Sequence, residues 1–120
     1  MADNSSKASR RYKRIATPTG VWVAWRDSDK QSVSRVLDLN LGGLYVVTPE
    51  PANVGAVITI LLSVPEGEIR SRATVRNVRR GEGMGVEFTD IAQQDAIRLG
   101  KLVDRLLARP SSQELPAANR

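Results

Sequence analysis

"SVSRVLDLNLGGLYVVT", residues 32–48, decides the fold. Over 32–40, Val33, Arg35, Leu37 and Leu39 fall on one parity, and Ser34, Val36, Asp38 and Asn40 on the other. Successive side chains of a strand point to opposite faces, so Asp38 and Asn40 share a face. "NLGG" (40–43) supplies the turn residues, and "LYVVT" (44–48) is a second β-branched and aromatic run.

The same period of two extends outward in both directions. "GVWVAW" (20–25) is β-branched and aromatic, with Trp22 and Trp25 on opposite faces, so at least one ring belongs in the core. "AVITILLSV" (56–64) is apolar on both parities, which predicts a strand covered on both sides. "EIRSRATVRNV" (68–78) sets Arg70, Arg72, Thr74 and Arg76 against Ile69, Ser71, Ala73 and Val75. "GMGVEF" (83–88) is the last strand, and Gly, Pro, Asn and Asp cluster in the breaks. Six short strands at regular spacing predict a β-barrel or a closely packed pair of sheets.

From Asp90 the period changes. Ile91, Ile97, Leu99, Leu102, Val103, Leu106 and Leu107 include the i, i+3, i+4, i+7 spacing of an amphipathic helix. Thr89 is the expected N-cap, with Asp90 at the positive end of the dipole. Arg105 and Arg109 suit the negative end, Pro110 stops the helix, and Gly100 weakens it by about 1 kcal/mol relative to alanine. The expected organisation is a flexible tail at 1–9, one domain over 10–108, and a second flexible tail at 109–120.

Composition narrows the function. With 41% hydrophobic and 26% charged residues, the 120 residues have an ordinary globular mix and bury a core without staples. There is no cysteine and no histidine, which removes thiolate metal sites, disulfides and the commonest general base. No acidic cluster suggests a metal and no carboxylate pair suits acid–base work, so a non-enzyme is expected. "MADNSSKASRR" has no apolar core of a secretory leader, and "VITILLSV" (57–64) is too short to span a bilayer; a cytoplasmic location is expected.

The charge is local. Lys7, Arg10, Arg11, Lys13 and Arg14 stand against Asp3 alone, so residues 1–14 carry +4 of the chain's +5. A run of this kind is a solvated basic tail or an anion-binding device. Arginine suits the second role because its planar fork gives two parallel hydrogen bonds to phosphate or to guanine O6 and N7. The other motif is "DLNLGG" (38–43), with spacing D-x-N-x-x-G. It reads as an Asx turn ending a strand. It also reads as a base-recognition element: the Asp38 carboxylate accepts from both N–H donors of a guanine Watson–Crick edge, Asn40 adds a polar contact, and Gly43 leaves room. Together the motifs describe a reader of guanine nucleotides, provided the arm lies beside residues 38–43. Arg70, Arg72, Arg76, Arg79 and Arg80 form a second basic cluster that is either a solvated strand face or a phosphate or partner contact. Tyr12 is expected to anchor the arm.

These motifs, in this order on this strand plan, resemble the PilZ domain family, bacterial receptor modules for cyclic di-GMP. Arg10 and Arg14 match the family's R-x-x-x-R stretch, and Asp38, Asn40 and Gly43 match its [D/N]-x-S-x-x-G stretch. "GMGVEF" and the following helix resemble its closing elements, over roughly residues 9–107. The resemblance implies a mainly β fold, a six-stranded antiparallel barrel with a C-terminal α-helix. It implies cyclic di-GMP as ligand on the outer surface, often as an intercalated dimer, bound by Arg10, Arg11, Arg14, Asp38, Asn40 and Gly43. It further implies an arm that closes over the ligand to signal to a downstream protein partner, with no cofactor. Asn40 stands where serine is commoner, and Asn77 where some relatives carry an aromatic that stacks on a base; one stack is worth about 1–3 kcal/mol, so weaker binding or a different ligand stoichiometry is expected. Two alternatives belong to other classes: a basic barrel that binds nucleic acid, which so few aromatics disfavour, and a PilZ-like adaptor that works by protein contacts without nucleotide.

Overall fold

The computed structural model describes residues 14–18 and 20–108. In chain order the elements are β1 (Ile15–Ala16), β2 (Trp22–Arg26), β3 (Gln31–Asn40), β4 (Gly43–Val47), β5 (Val57–Val64), β6 (Gly67–Arg79), β7 (Gly83–Asp90) and α1 (Gln93–Ala108). All neighbouring strands are antiparallel. The order β3-β2-β5-β6-β7-β4 returns to β3 through the β3–β4 pairing, so six strands close a barrel. Closure removes the unpaired edges that an open sheet would expose.

The seventh strand was not anticipated. β1 is two residues long and pairs Ile15 with Leu39 and Ala16 with Asp38. β2 takes up Gln31–Arg35 on the same side of β3. The ten-residue β3 is therefore shared between two short partners along one edge, separated by the bend around Gly20, whose φ is +107°.

The barrel interior is filled by alternate residues. Ile69, Ser71, Ala73 and Val75 of β6 are buried and Arg70, Arg72 and Arg76 are exposed, as the alternation predicts. Trp25 is buried, with its indole N–H donating to Ser34 Oγ at 3.0 Å, while Trp22 is exposed. β5 departs from expectation. Ile58, Ile60 and Leu62 are fully buried but Val57 is 56% exposed, so the strand is covered on one face only. Among the described residues the one helix packs on β6 and leaves this outer face uncovered.

That helix packs against β6 and also touches β1. Its buried stripe is Asp95, Leu99, Leu102, Val103 and Leu106; Ile97 and Leu107 face solvent. Its start also departs from expectation. Thr89 and Asp90 belong to β7, with Asp90 paired to Arg72, and the helix begins at Gln93. Thr89 is a good N-cap by chemistry, but the pairing of the next residue, Asp90, with Arg72 on β6 holds that backbone extended. Asp95 anchors the first turn instead: its Oδ1 accepts from the Arg70 backbone N–H at 3.0 Å. Farther along, Arg105 forks onto Glu66, with Nε–Oε2 at 2.5 Å and the second nitrogen on Oε1 at 3.1 Å. The Arg105 hydrogen bond holds the Glu66 carboxyl below its ordinary range, so this clamp on the β5–β6 turn is present above that range and is lost as pH falls through the lowered value.

One stability prediction arises here. A Cβ at Gly100 would meet nothing within 4 Å. Gly100→Ala is therefore expected to stabilise the protein by about 0.4–1 kcal/mol through the unfolded chain's lost freedom. Urea denaturation should show a higher midpoint with an unchanged slope.

Candidate functional site

The site is built on an irregularity in β3. The register with β4 shifts between Val36 and Asp38. Val36 is fully buried, whereas Asp38 keeps 22% of its side-chain surface exposed. In an unbroken strand the two would share the core-facing parity. The bulge re-aims Asp38 to the outer surface, a recurrent use of bulges.

The arm is fastened at the same place. The Thr17 backbone N–H donates to the Leu37 carbonyl at 3.1 Å, and its hydroxyl donates to the Val36 carbonyl. With Ala16 opposite Asp38, this brings Arg14 to the carboxylate, and an Arg14 guanidinium nitrogen donates to Asp38 Oδ1 at 2.5 Å. Arg14 is 47% exposed, so the pair adds only about 0.2–1 kcal/mol to stability. Its main effect is positional, because it sets a cation and a carboxylate side by side on the outer barrel surface.

The register extends the site across four strands. Asp38 of β3 stands opposite Tyr45 of β4, Tyr45 opposite Gly85 of β7, and Gly85 opposite Asn77 of β6. A second bulge, between Val75 and Asn77, leaves both Arg76 and Asn77 facing outward. The Asn77 amide lies over Gly85, 2.9 Å from where a Cβ would stand. The resulting open cavity, about 450 Å³, is lined by Arg14, Leu37, Asp38, Tyr45, Val47, Asn77, Arg79 and Glu82. Arg79 has no ion-pair partner among the described residues, whereas Arg76 is paired with Glu87 at 2.7 Å.

The predicted site residues thus divide. Arg14 and Asp38 are brought together. Asn40 is 1% exposed, and its side-chain oxygen accepts from the backbone N–H groups of Gly42 (2.7 Å) and Gly43 (2.9 Å). It is the Asx-turn residue that shapes the β3–β4 connection. Gly43 is also committed to the fold, because the volume of a Cβ there is occupied by the Val86 carbonyl oxygen. The space it leaves serves the close approach of β7. Arg10, Arg11 and Tyr12 lie outside the described residues, as do both predicted tails. Tyr45 was missed, although a signal existed: it sits on the parity opposite Leu44 and Val46, directly after the D-x-N-x-x-G motif. Arg79, seen only as part of a basic cluster, is the member that enters the cavity.

Among the described residues no group of His, Cys, Asp or Glu is placed to hold a metal ion, and no helix is long and apolar enough to cross a membrane. The described residues thus form a closed antiparallel barrel with one terminal helix and an open cavity, lined partly by charged side chains, on its outer wall. The family profile described as PilZ domain matches residues 8–105, and the chain belongs to the PilZ domain family, whose members are receptor and adaptor modules. Solved structures agree on the fold. The PilZ domain of Escherichia coli YcgR with c-di-GMP is 18% identical, with a TM-score of 0.68 over 92% of this chain and 98% of that one. The Bacillus subtilis inhibitor of motility MotI/DgrA is 22% identical, with a TM-score of 0.68 over 84% of this chain and 53% of that one. The K. pneumonia MrkH–c-di-GMP complex is 18% identical, with a TM-score of 0.67 over 83% of this chain and 52% of that one. The chain spans about half the length of MotI/DgrA and MrkH. No curated protein matches it.

Proposed function

We propose that this protein is a cyclic di-GMP receptor domain whose N-terminal arm and β3 bulge form the two sides of the ligand site. The observation that carries this reading is the Arg14–Asp38 pair, 24 residues apart in sequence and 2.5 Å apart in space. Two of the similar structures, those of YcgR and MrkH, are described with c-di-GMP. A carboxylate has two oxygens and about four acceptor directions, so Asp38 can hold Arg14 on one oxygen and a guanine N–H edge on the other. Arg14 and Arg79 supply cations for phosphate, and Arg10 and Arg11 are expected to add to them from the arm.

The output is an ordering of the arm. β1 consists of two residues, and α1 touches it. Phosphate binding that draws the arginines together would fix β1 against β3 and reach the helix surface, an order–disorder route to signalling a protein partner. The nucleic-acid reading has less behind it, since Arg70 and Arg76 of the β6 face are each paired with a glutamate.

Calorimetric titration with cyclic di-GMP tests the site. Arg14→Ala and Asp38→Ala each remove a hydrogen bond to a charged group, worth about 1.5–3 kcal/mol, so each should weaken binding roughly tenfold or more. Equal binding by wild type and both variants would refute the assignment.

A further inference from the structure

We propose that Tyr45 is the base-stacking platform of this site, an affinity element supplied by β4. The inference rests on the cyclic di-GMP reading above and adds a residue that neither sequence motif contains. Three observations carry it. Tyr45 is the one aromatic among the described residues that line the cavity. It is the direct cross-strand neighbour of Asp38, and adjacent strands stand about 4.7–4.9 Å apart, so a purine whose edge meets the Asp38 carboxylate extends over the Tyr45 ring. The ring also lies down onto the sheet: its outer atoms Cε2 and Cζ are 2.8 and 3.0 Å from where a Cβ of Gly83 would stand. A side chain at position 83 would displace the ring and would also collide with the Val46 backbone carbonyl, so the glycine serves the close approach of β4 as well.

The glycines of β7 complete the arrangement. Gly83 lies beneath the ring, and Gly85, opposite both Tyr45 and Asn77, lies beneath the Asn77 amide, so both side chains sit low on the sheet. Packing does not account for the tyrosine. It is only half-buried, and its hydroxyl has no hydrogen bond among the described residues. The outer part of the ring rests over Gly83, and the side chain lines the cavity. Stacking tolerates any base, so Tyr45 supplies affinity while Asp38 and the arginines select guanine.

The test titrates wild type, Tyr45→Ala and Tyr45→Phe with cyclic di-GMP, alongside Arg14→Ala, and records the guanine H8 proton resonance in each complex. Tyr45→Ala should weaken binding about 5- to 100-fold, as about 1–3 kcal/mol per stacked base gives at 1.4 kcal/mol per tenfold, while Tyr45→Phe stays within about threefold of wild type. H8 should move upfield in the wild-type and Phe complexes, from the ring current of a stacked aromatic. Should Tyr45→Ala fail to fold, the wild-type and Phe H8 shifts decide. Wild-type affinity in a folded Tyr45→Ala, an equal loss in Tyr45→Phe, or an unshifted H8 in the wild-type complex overturns the inference. If any of these occurs while Arg14→Ala still binds poorly, the receptor reading stands and Tyr45 alone is misassigned. If wild type itself does not bind cyclic di-GMP, both fall.

Discussion

Leu102→Ala is expected to lower stability by about 2–5 kcal/mol, the largest effect of any single truncation in the helix. Leu102 is fully buried in the core cluster, at the middle of the α1 stripe formed by Leu99, Leu102, Val103 and Leu106. Truncation removes the transfer energy of three carbons and leaves a cavity. The surroundings cannot collapse into it easily, because a closed barrel wall lies on one side and the helix backbone on the other. Leu107→Ala is the control. Leu107 belongs to the same apolar periodicity but is 58% exposed, so its loss should change stability by less than about 0.5 kcal/mol. Denaturant midpoints for the two variants check the contrast; similar effects would mean that the helix is docked on a different face.

Gly43→Ala is expected to be nearly as damaging despite adding a single methyl group. The new Cβ would overlap the Val86 carbonyl oxygen and lie 3.1 Å from Glu87 Cα. Both obstacles are backbone, so no rotamer change relieves them, and β4 must move away from β7. The ladder there includes Gly43 opposite Glu87 and the Phe88 N–H on the Gly42 carbonyl at 2.9 Å. We expect a cost at or above the top of the ~1–3 kcal/mol usual for overpacking. At roughly 4–8 °C per kcal/mol, the melting temperature should fall by about 10 °C or more. This separates two meanings of a motif glycine. If Gly43 served the ligand, alanine would spare the fold and impair binding alone. The geometry predicts that any loss of binding follows from loss of the barrel.

Asn40 shows the same division within one motif. Its Asx-turn bonds to Gly42 and Gly43 hold the β3–β4 connection, so D-x-N-x-x-G is one residue that faces the cavity followed by two that build its support. Sequence chemistry listed Asn40 as a polar contact because an amide side chain serves either purpose equally. Burial to 1% exposure distinguishes them.

The residues by themselves determined the strand alternation of Ile69 to Val75, the closing helix, the local charge of the leader, and the choice of Arg14 and Asp38 as candidates for one site. These follow from periods of 2 and 3.6 and from side-chain chemistry, which are properties of a few neighbouring positions. The tertiary structure alone decided that Asp38 faces outward, since a bulge after Val36 breaks the parity that would have buried it. It alone turned Thr89 and Asp90 into strand, because the ladder partner of Asp90 lies on β6. It also gathered Tyr45, Asn77 and Arg79 around the Arg14–Asp38 pair. Registers between strands 30 or more residues apart are set by closing the ring, and a closed ring constrains all six pairings at once, which no local window of sequence contains.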